Sequence, residues 1–162
     1  MHRCAHKAKA CVAAMVFIAG VPPMTAALAL DVQSLCAHIG NDDHVRPIPA
    51  VLVPQARRLF FDHGASSNYI KETTSFRCMN GKVWLCNLGA NLNCGKADSR
   101  RTSAGAAVFC RQNPGSDVVP MAATGHDTIY EWKCVGNEAR IFRQVETVDP
   151  RGFTTENWKK LE

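Results

Sequence analysis

The sequence predicts an α+β fold: a small antiparallel sheet, made of two hairpins plus a C-terminal strand, covered by two or three short helices and locked by three disulfides. Three observations carry that prediction. Asn80-Gly81 and Gly136-Asn137 each separate two runs of alternating residues, as hairpin turns do. Short apolar stretches at helical spacing follow capping residues or a proline. Six cysteines remain after the first 29 residues, an even number, with no pair close enough in sequence to form a metal clip.

The chain opens on MHRCAHKAKA, which carries Arg3, Lys7 and Lys9 and no acid, and continues into the apolar CVAAMVFIAGV. Pro22 and Pro23 end that run, and Ala27-Leu28-Ala29 supplies the small residues of a signal-peptidase site. Residues 1–29 are therefore expected to be a cleaved signal peptide, and residues 30–162 a single disulfide-stabilised domain, periplasmic or secreted. The apolar run is shorter than the ~20 residues a membrane span needs. No span is expected after cleavage. Losing three cations and no acid lowers the formal charge from +5 to +2. That balance gives no footprint for nucleic acid.

From Leu30, DVQSLCAHIG reads as a short helix, with Asp31 as its cap and Gly40 as its end. Residues 41–50, NDDHVRPIPA, read as a polar loop. Pro54 suits the first turn of a helix reaching about Phe61, with Val53, Ala56, Leu59 and Phe60 on one face and His63-Gly64 closing it. GASSNYIKETT reads as linker or edge strand. Thr102 or Ser103 caps AGAAVFCRQ, expected to stop at Asn113-Pro114 and to carry Val108, Phe109 and Cys110 inward. In the second hairpin, Tyr130, Trp132 and Cys134 share a face with Ala139 and Ile141, opposite Glu131, Lys133, Glu138 and Arg140. The tail offers a Pro150-Arg151-Gly152 turn and one more short strand.

The cysteines are Cys36, Cys78, Cys86, Cys94, Cys110 and Cys134. A two-residue Asn80-Gly81 turn opposes Met79 to Lys82, Cys78 to Val83, Arg77 to Trp84 and Phe76 to Leu85. Cys78 then shares a face with Phe76, Val83 and Leu85, whereas Cys86 lies on the other face with Arg77 and Trp84. Two sulfurs so placed cannot reach bonding distance. Cys86 with Cys94, closing the loop NLGANLN, is the favoured local pair; Cys78 is left to Cys36, Cys110 or Cys134. Each bridge is worth about 2–4 kcal/mol. The two hairpins echo one another: Phe76-Arg77-Cys78-Met79-Asn80-Gly81 and Trp132-Lys133-Cys134-Val135-Gly136-Asn137 both run aromatic, basic, cysteine, apolar, turn.

Chemistry is sparser. Gly89 to Ala97 nearly spells a phosphate loop, but one residue too many separates the glycines and Ala97 lacks the metal-binding hydroxyl. No cofactor is expected, and no metal. Lys96, Arg100 and Arg101 precede the helix start at Ser103, where free amides favour an anion. His126-Asp127 pairs a base with an orienting acid, yet no nucleophile frame surrounds it, and a turn role is favoured. The leading expectation is an exported non-catalytic binding or inhibitory module, using Trp84, Lys96, Arg100, Arg101 and His126 toward a protein or glycan of the envelope or the cell's exterior. The alternatives are a small periplasmic hydrolase using His126 and Asp127, or a structural envelope protein.

With these residues in view, FRCMNGKVWLCNLGANLNCGKADSRR and TGHDTIYEWKC resemble a set of small exported proteins of alphaproteobacteria, over the span from about Cys36 to the C-terminus. The resemblance brings no activity and no functional residue. The aromatic-x-Cys-x-x-Gly element from Phe76 to Gly81 is also similar to one in periplasmic inhibitors of c-type lysozyme, which are small antiparallel barrels. The helices and extra cysteines of this chain depart from that pattern.

Overall fold

The computed structural model describes residues 32, 34–61, 64–89 and 92–162. Residues 1–29, expected to be a signal peptide, and Asp31 and His63 lie outside the described residues. Helical residues 34–37 precede strand β1 (Asp42–Pro47), a 3-10 turn (Ala50–Leu52), helix α1 (Val53–Phe60), helix α2 (Ser67–Thr73), and strands β2 (Thr74–Met79) and β3 (Lys82–Asn87). Helix α3 (Ala104–Gln112), the single turn α4 (Met121–Thr124), strands β4 (Tyr130–Val135) and β5 (Glu138–Gln144), a second 3-10 turn (Thr155–Asn157) and strand β6 (Lys159–Lys160) complete the order.

The fold is α+β, with both hairpins, the C-terminal strand and three disulfides present. The hairpins lie in separate sheets: β1-β2-β3-β6 form one antiparallel sheet and β4-β5 the other. The first hairpin has the register its turn demands, from Met79 opposite Lys82 to Phe76 opposite Leu85. Asn80 and Gly81 take φ of +53° and +69°, both positive as a type I′ turn requires. Cys78 faces away from Cys86 and bonds Cys36; Cys86 bonds Cys94, and Cys110 bonds Cys134. Each bridge closes before the next begins.

Two readings of the chain are corrected. Residues 42–47 form a strand, not a loop, because β2 offers an unsatisfied edge, and Pro47 is tolerated where no ladder N–H is needed on the outer side. GASSNYIKETT contains a helix: the Ser66 hydroxyl accepts from the Tyr69 amide and starts α2, which buries Ile70. Elsewhere the caps act as expected. Pro54 sits in the first turn of α1, and Ser103 Oγ accepts from the Ala106 amide at the start of α3. Within these helices Leu59 and Val108 are exposed; Val53 and Ala56 in α1, and Ala106 and Cys110 in α3, occupy the buried stripes.

The core has three parts. One face of the large sheet (Phe76, Cys78, Val83, Leu85) packs against Cys36, Leu52, Ala56 and Ile70. Its other face packs the Cys86–Cys94 bridge and Trp84 against Phe153 and Trp158 of the C-terminal segment. The third cluster joins Ala106 and Cys110 of α3 to Tyr130, Trp132 and Cys134 of β4. Gly105 lets α3 approach α4: a Cβ there would stand 1.7 Å from the Ala123 carbonyl oxygen.

Candidate functional site

The charged residues singled out near α3 separate into paired and unpaired groups. Lys96 Nζ donates to Asp43 Oδ2 at 2.8 Å, and Arg151 Nε donates to the other oxygen at 2.8 Å. These two cations hold the Asp43 carboxyl below its ordinary range. Arg100 grips Asp98 with two parallel bonds, Nε to Oδ1 at 2.8 Å and Nη2 to Oδ2 at 2.7 Å. That hydrogen-bonded pair lowers the Asp98 pKa and raises that of Arg100. Two of the three sequence-chosen cations are therefore neutralised by neighbours.

Arg101 differs. Its guanidinium lies 5.6 Å from the Tyr130 ring centroid and has no carboxylate partner among the described residues. Because Ser103 turns the chain into α3, Arg101, Thr102 and Ser103 form one wall of an open cleft of about 510 Å³. Arg111 in the last turn of α3, and Glu138 and Arg140 of β5, line it too, with Trp132 beneath. Arg140 pairs with Glu138, whereas Arg111 makes no ion pair among the described residues. The size lies within the ~300–1,000 Å³ of ligand sites. Arg101 beside the start of α3 and Arg111 in its last turn give the cleft two guanidiniums with no carboxylate partner among the described residues, which suits an anion.

The other predicted residues lie elsewhere. Trp84 is half-buried against the Cys86–Cys94 bridge and does not present an open aromatic face. His126 is exposed in a turn, and its ring makes no hydrogen bond or ion pair among the described residues. Asp127, next to it, adds to the field on Arg100. The structure thus brings only Arg101, of the five proposed binding residues, into the cleft. Arg111 and Arg140 were not legible as site residues, because the cleft arises where α3 meets β5, elements separated in sequence. Among the described residues no three His, Cys, Asp or Glu side chains converge as a metal site.

A second charge constellation is structural. Arg77 is 1% exposed, and its Nη2 donates to Asp149 Oδ2. The guanidinium carbon sits 4.0 Å from the Phe153 centroid and 4.8 Å from that of Trp158. Burial alone would push the Asp149 carboxyl up. The Phe153 amide, Arg77 and the Arg151 amide together hold it below its ordinary value.

Beside β4–β5, Val118, Met121 and Phe142 line a groove with Glu131 and Trp132. Val118 and Phe142 are 68% and 56% exposed. Trp132 belongs to the lining of both the groove and the cationic cleft. Compared with protein-family models, with curated proteins and with solved structures, the chain matches none.

Proposed function

We propose that the chain is an exported, non-catalytic binding module that takes an anionic group of its ligand into the cleft of Arg101, Arg111 and Arg140. One observation carries the reading: Lys96, Arg100 and Arg151 are each held by a carboxylate, while Arg101 and Arg111 in the cleft have none among the described residues. Unpaired guanidiniums in a concavity favour a carboxylate or phosphate with bidentate geometry. Export is supported by the n-region, apolar run and Ala-Leu-Ala of residues 1–29, and by three cysteine pairs at bonding distance. No helix among the described residues is long and apolar enough to cross a membrane.

The test is an NMR titration of the oxidised protein with inorganic phosphate and, separately, with glutarate at low salt. Saturable shifts confined to Thr102–Ala107 and the Arg101, Arg111 and Arg140 side chains are expected, and Arg101→Ala with Arg111→Ala abolishes them. Saturation at other residues, or no shift with either anion, would overturn the assignment.

A further inference from the structure

The molecule treats its sheet edges unequally. β1 is interrupted between Asp42 and Arg46 and ends in Pro47. β6 has only two residues. The outer edge of β4 is occupied by the segment before it: the Cys134 amide donates to the Ser116 carbonyl at 2.7 Å and the Val119 amide to the Trp132 carbonyl at 2.8 Å. Each is a recognised way of closing an edge. β5 is longer and less covered. It runs for seven residues without proline or glycine, with one register shift that leaves Phe142 between the pairs Ile141–Trp132 and Arg143–Glu131, pairs with β4 alone, and among the described residues makes no backbone bond on its outer side.

The surroundings of that open edge say what fits it. The cationic cleft lies between α3 and the start of β5, and Phe142 stands exposed farther along the same strand. Building on the cleft reading above, we propose that β5 is a docking strand: an extended segment of a partner protein, with acids at alternate positions and apolar residues between them, adds to its edge. The acids of that segment meet Arg101 and Arg111, and an apolar side chain packs on Phe142. Strand addition supplies main-chain bonds for affinity and alternating side chains for selectivity.

A second copy of the chain is a poorer occupant. The carboxylates that β4 and β5 would contribute are already engaged, Glu131 by two bonds from Arg143 and Glu138 by Arg140. Self-pairing therefore brings no free acid to the two unpaired arginines. A partner bearing its own acids does.

The experiment uses the isotopically labelled oxidised protein and a synthetic peptide of about eight residues that alternates glutamate with valine and phenylalanine. Alternate β5 amides are expected to become protected from hydrogen exchange, with concurrent shifts at Thr102–Ala107. Arg111→Glu, on an exposed helix face, should weaken binding about tenfold or more while near-ultraviolet dichroism and all three disulfides are retained. A matched peptide with lysine in place of glutamate should not bind. Shifts at the cleft with β5 amides unchanged would overturn strand addition and leave the anion site standing. Absence of both signals would remove both readings. Protection of β5 without peptide, together with a concentration-dependent dimer, would make a second copy the occupant and overturn the proposal.

Discussion

The hairpins β2–β3 and β4–β5 carry the same local pattern and reach opposite fates. In each, the cysteine before the turn bonds a helical cysteine, Cys78 with Cys36 and Cys134 with Cys110. In each, the aromatic two residues earlier packs inward. The basic residue between them separates the two. Arg77 is enclosed by Phe153, Trp158 and Asp149, because the C-terminal segment covers that face. Lys133 stays near the surface, 5.3 Å from the exposed Phe142 ring, because nothing among the described residues covers the corresponding face. A shared sequence pattern dictates the hairpin and its cross-link; distant chain decides whether the second face is core or surface.

The largest expected effect breaks that contrast directly. Arg77→Ala leaves Asp149 buried without its cation and should cost about 3–5 kcal/mol, whereas Lys133→Ala should stay within about 0.5 kcal/mol. Urea unfolding of the two oxidised variants measures both. Equal losses would mean that the covered face contributes nothing special.

Next in size is Gly105→Ala. In an ordinary helix this change stabilises by about 0.4–1 kcal/mol. Here the new Cβ meets the Ala123 carbonyl, so a loss of about 1–3 kcal/mol is expected. Hydrogen exchange should show faster opening of α3, α4 and β4 while β2 and β3 keep their protection, which locates the damage in the second hairpin's half.

Cap removal is smaller still. Ser103→Ala and Ser66→Ala each delete one side-chain acceptor at a helix start, at a cost of about 1 kcal/mol. Thermal melts should place both variants close together, since each half relies on one such cap.

A pH series sharpens the first comparison without mutation. Asp149 has a folded pKa below its ordinary 3.8, so the stability it contributes is fully present above that value and is lost as pH falls through the folded value. Acid should therefore loosen the Phe153 and Trp158 packing as pH falls through that value, read by tryptophan emission. Asp149→Asn should flatten that part of the profile.

Local chemistry was legible in the sequence. Asn80-Gly81 set a register good enough to forbid Cys78–Cys86 and favour Cys86–Cys94, and Ser103 marked the start of α3. What stayed hidden depends on distant partners. β1 reads as polar loop because its strand state comes from pairing with β2 and its Asp43 is satisfied by Lys96 and Arg151, the latter 108 residues away. α2 escaped notice because seven residues give little periodicity, although the Ser66 cap was there to be seen. In the candidate site, Arg101 was visible beside a helix start. Arg111 was not, since its importance depends on β5 arriving next to α3.

The sequential closure of the three bridges bears on biogenesis. If the chain is exported as proposed, N-terminus first into an oxidising compartment, Cys36 meets Cys78, Cys86 meets Cys94, and Cys110 meets Cys134, each thiol finding its correct mate as the next one to emerge. An oxidase that simply joins successive thiols produces the native set, with no wrong pairs left for an isomerase to unscramble.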